Sequence, residues 1–118
     1  MKAILQVEFS PSLVIEREAV LKRAGYQVVS VLGSSNARSL EVSDLPIGVI
    51  VIGHGVPRLD RQDFIAHFRE TLPGIPIVAL LRSTDNPFSG ADFNCPADNP
   101  PLWERTVIAA LAKTEHLQ

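Results

Sequence analysis

The sequence predicts an α/β fold: a doubly wound sheet of five parallel strands with helices on both faces. Three observations predict it. The run Ile47–Ile52 is apolar throughout, rich in β-branched residues and bounded by Pro46 and Gly53, as befits a strand buried on both faces, and such strands belong to parallel sheets covered by helices. Strand-like and helix-like segments alternate along the chain. Finally, 118 residues with 46% hydrophobic and 20% charged content suit one globular domain able to enclose a core. A single domain spanning residues 1–118 is expected.

Taken in order, Ala3–Val7 is a short apolar strand. Ser10-Pro11-Ser12 then opens a helix, with a serine at the cap and proline at a first helical position. Leu13, Val14, Ile15, Val20, Leu21 and Ala24 fall mainly on one broad face, and Gly25 is placed to end the helix in a left-handed conformation. Gln27–Leu32 is the second strand. Gly33–Val42 reads as a weak helix, because its serines and asparagine favour turns and caps over helix interior. The third strand is Ile47–Ile52. Beyond Pro57, Asp60 is placed to cap a helix whose Phe64, Ile65, Phe68 and Leu72 share a face, ending at Pro73-Gly74.

Ile75–Leu81 is the fourth strand, with Pro76 early in it as a strand start allows. Arg82–Gly90 is too rich in turn residues for an ordinary helix, although parallel neighbours are usually joined by a longer crossover. Ala91–Asn94 reads as a short, polar edge strand. Asn99-Pro100-Pro101 opens the last helix, with Leu102, Trp103, Val107, Ala110 and Leu111 inward, and Lys113–Gln118 is expected to fray. This order is flavodoxin-like, with expected strand order 2-1-3-4-5 and right-handed crossovers.

Charge and composition exclude several function classes. A net charge of -2, with eleven basic residues scattered along the chain, lacks the clustered excess that nucleic-acid backbones demand. One cysteine, Cys95, rules out an internal disulfide and a cysteine-based zinc cluster. No apolar run approaches the roughly 18 residues of a membrane span, and the N-terminus has no signal-peptide pattern. A cytoplasmic location is expected.

Function in open α/β sheets gathers beyond the carboxyl ends of the strands, which directs attention to Gly53-His54-Gly55. The order of elements, together with Lys2–Ser10, the Pro57–Asp60 turn, Ile75–Leu80 and Cys95-Pro96, resembles the receiver domain of bacterial two-component response regulators. The resemblance covers nearly the whole chain except the region after the fourth strand, where the family's fourth helix is absent or reduced to a turn. It implies a site with an acidic pair ending the first strand, an acceptor aspartate ending the third, a hydroxyl ending the fourth, and a lysine before a proline after the fifth. In that site carboxylates hold Mg²⁺, cation and lysine neutralise the phosphoryl charge, and the hydroxyl registers it.

In register with that pattern, the acidic pair becomes Val7 and Glu8, so one carboxylate remains. Counting back from Pro57 puts Gly53 at the acceptor position, followed by His54; Leu81 takes the hydroxyl position and Cys95 the lysine position. The resemblance thus implies a degenerate receiver, or pseudo-receiver, whose acceptor pocket (Glu8, Gly53, His54, Leu81, Cys95) is not catalytic. It implies a protein-protein interaction module in phosphorelay signalling with no enzyme activity, cofactor or metal. The expected partner is a histidine kinase or another response regulator, or a second copy, with no nucleic acid and no membrane; the length leaves no room for an appended output domain.

The alternative is a small-ligand-binding or noncanonical catalytic domain using the Gly53–Val56 loop with His54 and Glu8. Glycines let backbone N–H groups approach an anion, but Arg58 stands where a third glycine would complete a dinucleotide fingerprint. His54 has no second ligand at metal spacing, and a hydrogen-bonded or wet loop histidine is the simpler reading. Glu8 reads as a solvated or capping acid, Cys95 as a small semi-buried residue, Trp103 as core, and Arg58, Asp60 and Arg61 as a solvated turn and cap.

Overall fold

Buried on all six of their residues, β1 (Ala3–Glu8) and β3 (Ile47–Ile52) form the centre of the sheet. Around them the computed structural model, which describes residues 2–33 and 46–116, arranges α1 (Pro11–Arg23), β2 (Val28–Leu32), α2 (Arg58–Thr71), β4 (Ile77–Leu81), β5 (Phe93–Pro96) and α3 (Pro100–His116). The five strands are parallel in the order β2-β1-β3-β4-β5. This is the expected topology. Register pairs Glu8 with Leu32 and Val7 with Ile52, so the carboxyl ends of β1, β2 and β3 finish level.

Side-chain alternation along the strands divides the core into two layers. Leu5, Val7, Ile50, Ile52 and Ala79 pack on one face against Phe64, Ile65 and Phe68 of α2. Ile4, Val49, Val51, Val78 and Leu80 pack on the other against Leu21 of α1 and Trp103, Val107 and Leu111 of α3. Helices therefore cover both faces. The Thr114 hydroxyl donates to the Gly48 carbonyl at 2.8 Å, fixing the end of α3 on the middle of the sheet.

Several local expectations need correction. Gly25 has the left-handed φ expected of it, 96°, but the inward residues of α1 are Arg17 and Leu21, and Ile15 is 68% exposed. Two residues from Arg17, Ile15 projects from the opposite side of the helix. Pro57 rather than Asp60 is the cap of α2, with Asp60 in its first turn. β4 begins at Ile77, since Ile75 still donates to Leu72 in the preceding turn. Residues Lys113 to His116 are helical rather than frayed. Of the weak helix expected over Gly33–Val42, all but Gly33 lies outside the described residues.

β5 runs over Phe93–Pro96, two residues later than expected, because Asp92 ends the preceding loop with its side chain. Its Oδ2 accepts the Ile77 N–H at 2.7 Å and Arg69 Nη2 at 2.8 Å, replacing a ladder carbonyl. Pro96 is tolerated at the end of an edge strand, where no further N–H is required.

The connection from β4 to β5 contains no helix, as expected, and side chains hold it instead. Arg61, expected in a solvated turn, is fully buried. Its Nη1 donates to the Leu80 carbonyl at 3.0 Å and to Asp85 Oδ2 at 2.8 Å. Phe88 lies against both Arg58 and Arg61, with guanidinium carbons 4.2 and 4.9 Å from its ring centroid. The Asn94 amide accepts the Phe88 N–H and donates to the Phe88 carbonyl, as a neighbouring backbone would. These contacts seal a sheet end that a crossover helix would otherwise cover.

Removing Asp85 strands a buried charge. Asp85→Ala is expected to cost about 3–5 kcal/mol in urea unfolding, the range for breaking a buried ion pair from one side. The Arg61 hydrogen bond holds the Asp85 carboxyl below its ordinary pKa of 3.8, so this stabilisation is present above that value and lost as pH falls through the lower folded pKa. A wild-type chain whose stability shows no such acid limb relative to Asp85→Ala contradicts the assignment.

Candidate functional site

Glu8 closes β1 with a charge on the face that carries Ile4, and its side chain is completely buried. The sequence reading of a solvated or capping acid is therefore corrected. A buried carboxylate survives only when paired and hydrogen-bonded. Oε1 accepts the Phe9 N–H at 2.8 Å and the Ser10 N–H at 3.3 Å; Oε2 accepts Arg17 Nη1 at 2.7 Å and the Gly55 N–H at 3.3 Å. Those donors use the roughly four lone-pair positions that a carboxylate offers.

Arg17 is the residue that sequence reasoning missed. It is 5% exposed, and its guanidinium bridges three groups. Nη1 reaches Glu8 and, at 3.4 Å, Gln6 Oε1, while Nη2 lies 2.7 Å from His54 Nδ1. Gln6 is itself buried and donates to Ser30 Oγ at 3.0 Å, so a polar line runs from β2 across β1 to the loop after β3. The available signal was periodicity: Arg17 shares a helix face with Val14 and Leu21, where a charge has to find a buried partner.

Gly53 follows β3 directly, its N–H donating to the Val7 carbonyl at 2.9 Å. The absence of a side chain is required here by close approach. A Cβ at position 53 would overlap Glu8 Oε2 and stand 2.6 Å from Arg17 Nη1, and one on Gly55 would overlap Glu8 Oε1. Both glycines therefore leave room for the ion pair.

His54 faces a depression of about 230 Å³ lined also by Leu81, Arg82, Ser83, Ala97 and Asp98, at the carboxyl ends of β3, β4 and β5. Of the candidate residues, the structure gathers Glu8, Gly53 and His54 around Arg17 and sets Leu81 in the wall of the depression. Cys95 lies apart, buried in the layer under α3 with Trp103. Trp103 is core, as expected. Burial, followed by the charge on Arg17, lowers the His54 pKa from its ordinary 6.5, with Glu8 pulling the other way. The ring is thus neutral at physiological pH, with Nδ1 accepting from Arg17 and the proton on Nε2.

Receivers of the family resembled hold Mg²⁺ between carboxylates, a cation that takes about six oxygen ligands. The residues present here do not fit that ion. Among the described residues Glu8 is the acid that meets Arg17, its oxygens are already occupied by donors, and the guanidinium stands against it. Among the described residues no group of three or more His, Cys, Asp or Glu side chains could hold a metal. Nor is any described helix long and apolar enough to cross a membrane.

Neither a family model nor a curated protein matches the sequence. Solved structures do match the fold. A response regulator receiver domain from Clostridium thermocellum superposes with a TM-score of 0.86 at 15% identity, covering 100% of both chains. The response regulator TrrA from Thermotoga maritima, solved with Mg²⁺ and beryllofluoride, gives 0.78 at 18%, covering 93% of this chain and 99% of that one. The chemotaxis protein CheY4 of Vibrio cholerae gives 0.75 at 21%, covering 93% and 98%. At such identities the likeness establishes a CheY-like, flavodoxin-like fold, and function has to be argued from the residues.

The His54 environment makes a pH prediction. Because folding depresses its pKa, the unfolded chain binds the proton more readily, and the related stability is present above 6.5 and lost as pH falls through the folded value. Imidazole resonances followed by NMR should titrate with a midpoint below 6.5, and a midpoint above it would refute the Arg17 contact.

Proposed function

We propose that the chain is a degenerate receiver domain that takes no phosphoryl group and works as a protein-protein interaction module in two-component signalling. One observation carries the loss of chemistry: Gly53, at the acceptor position implied by the resemblance, has no side chain to phosphorylate, and the Glu8 carboxylate fills the space where one would stand. Leu81 and Cys95, at the implied hydroxyl and lysine positions, supply neither the hydroxyl nor the charge. His54 does not replace the acceptor, since its Nδ1 is engaged by Arg17. The signalling setting is supported by the CheY-like fold and by the receiver domains among its structural neighbours.

On this reading the partner is a histidine kinase or another response regulator, with self-association as a further route, in the cytoplasm. Output then depends on which partner binds which state of the domain, because only differential binding shifts an equilibrium. The intact protein is to be treated with acetyl phosphate and Mg²⁺ and weighed, and its amide spectrum recorded with beryllofluoride. No added phosphoryl mass and no shifts at Gly53, His54 or Glu8 are expected. Affinity capture from native lysate should return a histidine kinase or response regulator; phosphoryl uptake, or capture of metabolic enzymes alone, refutes the proposal.

A further inference from the structure

The misfit between this pocket and a divalent ion has a specific cause. We infer that the pocket at the carboxyl end of β1 is a cation site whose cation is built into the chain: the Arg17 guanidinium is its resident ion, and it keeps divalent metals out. Arg17 is held as a bound cation would be. Its ligands are Glu8 Oε2 at 2.7 Å, His54 Nδ1 at 2.7 Å and Gln6 Oε1 at 3.4 Å, contributed by β1 and by the loop after β3. The guanidinium and Glu8 are 5% and 0% exposed.

Charge and space both support the assignment. One carboxylate balances one guanidinium, whereas a divalent ion with Glu8 alone would leave uncompensated positive charge in a buried site. A planar, forked donor can meet these three ligands through Nη1 and Nη2, whereas a small divalent ion requires a full shell of oxygen ligands. The space is also full, because a Cβ on Gly53 would meet both members of the pair and one on Gly55 would overlap Glu8. Gly53, Gly55 and Arg17 therefore form one arrangement: the glycines make the room that the tethered ion occupies.

This inference stands apart from the choice of signalling partner, and its test does not use a partner or a phosphoryl donor. In the wild-type protein the Arg17 Nη protons should be resolved by ¹⁵N NMR and exchange slowly with water, and Mg²⁺ at millimolar concentration should shift none of the Glu8, Gly53 or Gly55 amides. Arg17→Ala should lower the melting midpoint, and methylguanidinium should raise it again by more than tetramethylammonium at equal concentration. That difference should vanish in the wild type and in Arg17→Ala combined with Glu8→Gln. Should Arg17→Ala fail to fold, Arg17→Lys provides the second variant, with charge retained and the fork removed, and the His54 pKa is expected to change in it. Rapidly exchanging Arg17 signals, Mg²⁺ shifts at Glu8 in the wild type, equal effects of the two cations, or an unchanged His54 titration in Arg17→Lys would each overturn the assignment.

Discussion

The ion pair between Glu8 and Arg17 is the constraint on which the carboxyl edge of this sheet depends. Taking two charges out of water costs several kcal/mol for each ion, and their attraction offsets that cost only when the remaining hydrogen-bonding capacity is also satisfied. Each neighbouring feature serves that condition. The chain turns after β1 so that the Phe9 and Ser10 N–H groups meet Oε1, and the loop after β3 turns so that the Gly55 N–H meets Oε2. α1 is rotated to bring Arg17 inward at the expense of Ile15, which is left exposed. Positions 53 and 55 of the loop after β3 lack side chains because the pair needs their volume.

A second buried guanidinium organises the opposite face. Arg61 lies under Phe88 and ties the end of β4 to Asp85, so the short connection is attached through side chains rather than by a packed helix. Both arginines lie one helix layer away from the strand ends they serve, and each meets one acid there. Basic residues that looked scattered along the sequence are in these two cases internal, which removes them from the surface that an anionic partner would meet.

The sheet was legible because its signals are local and repeated. β3 announces itself by uninterrupted apolar character, and Phe64, Ile65 and Phe68 mark the inner face of α2 by spacing alone. The site was only half legible. Gly53 and His54 could be located, since they follow a strand whose end is plain, but Glu8 and Arg17 each look like ordinary surface charges when read singly. Their burial is a property of the pair, made by packing α1 onto β1, and no one-residue signal reports it. The same limit explains Arg61, whose partner Asp85 lies in a different element, and β5, whose start depends on the Asp92 side chain reaching the Ile77 N–H.

The tautomer of His54 decides what its imidazole can do. With Nδ1 accepting from Arg17, the ring has no lone pair to offer elsewhere, and its other nitrogen carries the proton. A general base has to receive a proton from its substrate, so this histidine cannot activate a water or a hydroxyl while the arginine bond persists. It can only donate a hydrogen bond. The loop that most suggested chemistry in the sequence thereby carries a hydrogen-bond donor where a base would have been expected.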